Sequence, residues 1–97
     1  MYCLIAHNQI KPGKVQALAK ALDKDVMPYM SRTPGFRAMS VSAGPKGEYT
    51  AFVTWDAKAG CDDWVNGQGR KKALANFGDL VEGPMRLEVG EVIFQSK

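Results

Sequence analysis

The sequence predicts an α+β fold of order β-α-β-β-α-β, and three observations carry that prediction. A Lys11-Pro12-Gly13-Lys14 loop follows an apolar opening stretch, and a Thr33-Pro34-Gly35-Phe36 loop follows an amphipathic one. Trp55-Asp56 then leads into a helical pattern that carries Trp64. The order is the ferredoxin-like one, with a four-stranded antiparallel sheet and helical crossovers. Residues 1–97 read as a single domain, long enough for a core. One four-stranded sheet in a chain of this length leaves a face to be covered, and such a face needs a partner.

The first strand spans residues 2–10. Leu4, Ala6 and Ile10 lie on one side and Cys3, Ile5 and His7 on the other, so neither face is cleanly polar and burial on both sides is expected. Pro12 and Gly13 end the strand. From Lys14 onward, Val15, Leu18, Leu22, Val26, Tyr29 and Met30 recur at helical spacing and form the stripe that faces the sheet. Pro28 lacks a backbone donor, so the last turn is expected to kink or stop there, with Pro34-Gly35 completing the exit. Strands over 36–43 and 48–55 flank Gly44-Pro45-Lys46-Gly47, which has the composition of a hairpin turn.

Asp56 is placed to cap the next helix, in which Ala57, Cys61 and Trp64 fall on one face and turn the indole inward. Asn66-Gly67-Gln68-Gly69 interrupts it. A second helical piece resumes with Leu74, Phe77, Leu80 and Val81 as its apolar stripe and ends at Gly83-Pro84. The last strand runs over 85–94, where Gly90 suggests a bulge or a close backbone approach.

Composition excludes several classes. A hydrophobic fraction of 45% with 24% charged residues is ordinary for a globular protein, and no apolar run approaches the roughly 20 residues of a membrane span. The opening Met1-Tyr2-Cys3-Leu4-Ile5-Ala6 lacks a basic flank and a cleavage site and reads as a strand, so a cytoplasmic location is expected. The net charge of +3 is modest, and its one cluster, Arg70-Lys71-Lys72, reads as a solvated helix face. No aromatic interleaving or nucleic-acid motif accompanies it, so no nucleic-acid partner is expected. Cys3 and Cys61 fit no metal-ligand spacing and read as two reduced, buried thiols.

With these landmarks placed, the chain resembles the antibiotic biosynthesis monooxygenase family, whose members have the dimeric α/β-barrel fold. The resemblance spans nearly the whole chain. It rests on the Lys11-Pro12-Gly13 exit, the Pro34-Gly35-Phe36 entry, Trp55 closing the third strand, and the helix from Ala57 to Trp64. It implies a homodimer in which two sheets pack face to face, each subunit keeping a pocket between sheet and helices. It also implies a small aromatic ligand: a flat polycyclic compound, a quinol or heme, often oxidised by molecular oxygen without flavin or metal.

Several polar and aromatic side chains are candidates for that chemistry. Asn8 shares the parity of Leu4 and Ala6; it is either satisfied by nearby backbone or orients a bound oxygen, carbonyl or phenol. His7, the only histidine, has the opposite parity and shares a pocket with Asn8 only if the strand twists or bulges there. It is either a general base or a core or interface histidine. Trp64 is either a core filler or a stacking wall for a flat ligand, whereas Trp55 reads as a core filler. Tyr29 and Tyr49 are placed to present a phenol at a pocket mouth, and Arg86 either steadies an anionic ligand or reaches solvent.

Similarity to the heme-degrading members of the family is closer at Asn8 and Trp64. The histidine that ligates heme iron there is expected about three helical turns after the tryptophan, where this chain reads Ala73-Leu74-Ala75. No cofactor is therefore expected. The resemblance implies a cofactor-independent monooxygenase acting on a quinol or polycyclic aromatic. The alternatives are a dimeric protein that binds a hydrophobic ligand or heme without catalysis, and an isomerase.

Overall fold

The computed structural model describes residues 1–96. Its four strands are β1 (Tyr2–Ile10), β2 (Phe36–Ala43), β3 (Glu48–Trp55) and β4 (Val81–Glu91), in the sheet order β2-β3-β1-β4 with every neighbouring pair antiparallel. Helical segments connect β1 to β2 and β3 to β4, giving the expected α+β ferredoxin-like arrangement. Both pack on one face of the sheet. There Leu4, Ala6 and Ile10 of β1 and Tyr49, Ala51, Val53 and Trp55 of β3 meet Leu18, Val26, Met30, Cys61, Trp64 and Phe77 in a continuous core.

The first crossover departs from the sequence expectation at Pro28. Helix α1 (Val15–Ala21) passes into a π-helical segment, Leu22–Val26, and then into a short helix α2 (Met27–Met30), so the chain continues through the proline. An α-helix would set the Lys24 carbonyl against the Pro28 ring; widening the preceding turn, with the Met27 N–H bonded to the Leu22 carbonyl, accommodates it. Val15, placed in the apolar stripe, is the first residue of α1 and is 46% exposed.

Trp55 fixes the far end of the sheet. Its indole is wholly buried, and its N–H donates to the Thr33 hydroxyl at 2.7 Å, which in turn donates to the Met30 carbonyl at 2.6 Å. Gly60 makes this packing feasible, since a Cβ there would collide with the Pro34 carbonyl and the Trp55 ring. Asp56 does not cap the helix that follows. Its carboxylate instead accepts a 2.8 Å bond from Arg37, and α3 (Lys58–Asn66) starts without a side-chain cap.

The second crossover breaks at Gly67 as expected, where an extended ψ separates α3 from α4 (Gln68–Ala73). The apolar stripe then ends earlier than its spacing implied. A single 3₁₀ turn, Phe77–Asp79, follows, and Val81 already belongs to β4. Gly83-Pro84 therefore lies inside the last strand rather than before it. The bulge falls there too, not at Gly90, which pairs regularly with Cys3. Residues 83–85 stand opposite Asn8 alone, and Gly83 takes a φ of +74° that a side chain would resist.

The other face of the sheet carries no helix. Ile5, His7 and Gln9 are only half-buried there, and Phe52 is 40% exposed, so the two-sided burial expected of β1 is not achieved within one chain. Ile93 and Phe94, beyond β4, are 95% and 82% exposed.

Candidate functional site

Trp64 occupies the inner face of α3, buried to 5% exposure as the Ala57-Cys61-Trp64 register requires. Its side chain lines an apolar cavity between the helices and the sheet, walled by Leu22, Val26, Tyr49, Leu74 and three methionines, Met30, Met39 and Met85. The cavity holds only about 30 Å³, roughly one water molecule's share of space. Its walls are nevertheless adaptable. Methionine side chains repack readily, and Leu22 and Val26 come from the π-helical segment.

Unlike Trp55, the Trp64 indole makes no side-chain hydrogen bond among the described residues, yet no buried side-chain polar atom there is left stranded. Its N–H is therefore not fully enclosed. Trp64 also lines a second, outer hollow, of about 260 Å³, together with Tyr29, Arg32, Asp63 and Arg70 and with Gly67 and Gly69. The Arg32 guanidinium lies 5.8 Å from the Tyr29 ring centre. Tyr29 lines this outer hollow and not the apolar cavity.

Tyr49 lines the apolar cavity from β3, opposite Asn8 of β1. Burial pushes its phenol from 10.0 up to about 12, so near neutral pH the hydroxyl stays protonated, able to donate a hydrogen bond and not to serve as a base. Tyr49 also borders a third hollow, of about 400 Å³, around the bulge in β4. His7, Asn8 and Arg86 all border that hollow, although β1 itself runs regularly there and the bulge is in β4.

Within it the side chains are engaged differently. The Asn8 amide oxygen accepts the Gln9 backbone N–H at 2.7 Å, and His7 Nε2 lies 3.0 Å from a Glu88 carboxylate oxygen. Arg86, cross-strand from His7, is exposed. Trp64 does not line this hollow, and His7, Asn8 and Arg86 do not line the apolar cavity. Apart from Tyr29, which lines the outer hollow, the candidate residues therefore form two groups, joined at Tyr49.

The sequence reading missed Arg70 and the methionines. Arg70 was absorbed into a basic run, although its place just after the Asn66–Gly69 break was a signal that it sits where a helix restarts beside the pocket. Cys3 and Cys61 are free and buried, and burial first, then Asp62 and Cys3, raises the Cys61 thiol pKa, so it stays protonated and unreactive. No cluster of three or more metal-ligating side chains occurs among the described residues, and no helix there is long and apolar enough to cross a membrane.

A family model described as antibiotic biosynthesis monooxygenase matches residues 1–76. Among curated proteins none matches the chain. Solved structures of the same fold include a Nitrosomonas europaea protein of unknown function, with 24% identity, 99% of this chain and 92% of that one covered, and a TM-score of 0.77. Another is the heme degrader MhuD of Mycobacterium tuberculosis with two hemes in its active site, at 19% identity, full coverage of both chains (100% and 100%) and a TM-score of 0.74. At these identities the similarity establishes the fold.

Proposed function

We propose that the chain, which belongs to the antibiotic biosynthesis monooxygenase family, works as a homodimer that oxidises a quinol or polycyclic aromatic with molecular oxygen, without flavin or metal. The observation that carries this reading is the methionine-walled cavity bordered by Trp64 and Tyr49 beneath a π-helical segment. A flat substrate would stack on Trp64, displacing methionine side chains to enlarge a space now near 30 Å³. Tyr49 would donate to an oxygen of the ring, and Asn8 would orient the reacting group or oxygen from the adjoining hollow. His7, the remaining titratable candidate, would manage the proton from the same hollow.

In an anthrone-like phenol, the ring methylene gains one oxygen atom and loses two hydrogens. These leave with the second oxygen atom as water, so all four electrons come from the substrate. The protein then positions the substrate and excludes bulk water. A partner copy on the uncovered sheet face would close the hollow around His7 and Asn8 and bury Phe52.

Heme, which MhuD carries, does not fit these residues as an iron-ligated group. Ala73, Leu74 and Ala75 stand where the ligand is expected, and Leu74 lines the cavity with a side chain that cannot bind iron. The sole histidine, His7, lines the other group's hollow.

One observation favours a second reading, a dimeric protein that binds a hydrophobic ligand without turning it over. Apart from Trp64, the polar residues lining the apolar cavity are Tyr49, whose pKa is near 12, and Arg70, so no base active near neutral pH reaches it from the described residues. Oxygen uptake across quinols and anthrone-like phenols separates the two. Turnover is expected, with Asn8→Ala lowering kcat more than it raises KM, because orientation matters most in the transition state. Saturable binding with no turnover would establish the second reading, and a monomer by sedimentation at micromolar concentration would remove the dimer.

A further inference from the structure

Arg70 is the one charged residue lining the apolar cavity, and with Trp64 it is common to that cavity and the outer hollow of about 260 Å³. It is half-buried. Among the described residues the ion pairs are His7 with Glu88, Arg37 with Asp56, and Lys58 with Asp62; none involves Arg70, and its guanidinium makes no side-chain hydrogen bond. A guanidinium held beside an apolar wall without a protein acceptor is poised for one from outside. Its planar fork matches the two oxygens of a carboxylate.

The surroundings favour an anion. Arg32 and Asp63 are the other charged residues of the outer hollow, so its lining carries two positive groups against one negative. Lys71 and Lys72 follow Arg70 on the exposed side of α4 and add to the positive field over the entrance. The basic run that reads as a solvated helix face thus begins with a residue turned toward the pocket.

We propose that the ligand of this site is an aromatic acid, its ring against Trp64 and its carboxylate held by Arg70 in the outer hollow. This inference rests on the reading that the space around Trp64 is the ligand site, and it adds the charge of the ligand and the residue that selects it. Arg70 is then the specificity residue, separate from the Asn8 and His7 group that faces the other hollow.

Isothermal titration calorimetry with 2-naphthoate and its neutral amide, 2-naphthamide, tests it at low salt. The wild-type protein should bind the acid about tenfold more tightly than the amide, as expected for a hydrogen-bonded charge pair. Arg70→Gln should erase that preference while leaving the affinity for the amide within about twofold, which also shows that the variant is folded. Arg70→Lys should restore only part of it, since an ammonium lacks the fork. Equal affinity of the wild-type protein for both probes, or an undiminished preference in Arg70→Gln, would overturn the role of Arg70 and leave the ligand site standing. Failure of both probes to bind would overturn the ligand site itself, and this inference with it.

Discussion

Trp55 and Trp64 are the same residue type on consecutive elements, both 5% exposed or less, and they do opposite work. Trp55 is locked: its N–H is held by Thr33, Thr33 is held by the Met30 carbonyl, and Gly60 lets the helix backbone press on the ring. Trp64 is buried in the core but borders both a small cavity and an outer hollow, and its N–H has no side-chain hydrogen bond among the described residues. Burial alone therefore does not distinguish a structural indole from one available to a ligand. The distinction lies in whether the polar handle is satisfied and whether the neighbouring side chains can move.

The largest expected effect is on stability. Trp55→Ala should cost about 3–5 kcal/mol in urea denaturation, the range for a fully enclosed aromatic. Trp64→Ala should cost less, about 2 kcal/mol, because part of its surface already borders open space. Both are to be compared at one protein concentration, since association contributes to apparent stability. Trp64→Phe should also abolish the ligand-induced fluorescence change that the wild-type protein shows with a naphthyl or quinol ligand. Equal stability losses, or a full signal in Trp64→Phe, would break the contrast.

Tyr49 sharpens the contrast from the cavity side. Its folded pKa of about 12 stands above the ordinary 10.0, so the folded protein keeps a proton that the unfolded chain releases. The corresponding stability is fully present below pH 10 and is lost as pH rises from 10 toward 12, about 2–3 kcal/mol in all. Urea denaturation near pH 8 and pH 11 should show a larger alkaline loss in the wild-type protein than in Tyr49→Phe. Parallel losses would mean that the phenol titrates as if exposed.

The smallest effect concerns Thr33. Replacing it by valine leaves the Trp55 N–H buried without its acceptor, a change worth about 1–2 kcal/mol. Thr33→Ser keeps the hydroxyl and should recover most of that loss. A valine variant as stable as the wild-type protein would show that packing alone, rather than the relay to Met30, fixes Trp55.

The element order was legible because Pro-Gly loops and 3.6- or 2-residue periodicities are local signals; β2 and β3 fall on their expected residues. Asn8 illustrates the limit at the site. Its parity is readable, but the hollow it borders is shaped by a bulge in β4 at Gly83-Pro84, which looks like the end of a helix in the sequence. Arg70 was equally opaque, since a basic run looks solvated until the break at Gly67 is seen to restart the helix beside Trp64. Pro28 announced a disturbance, and only the packed helix showed that it is absorbed upstream as a π-helical segment rather than as a stop.

The sequence by itself determined the order of strands and helices, the inward turn of Trp64 and the core role of Trp55, because each follows from side-chain spacing along one element. Tertiary structure alone decided that Trp64 and the Asn8 and His7 group border separate spaces that meet at Tyr49, and that Arg70 rather than Arg86 reaches the space beside Trp64. The reason is physical: which side chains share a cavity depends on register and bulges between strands distant in sequence, and no local periodicity encodes those.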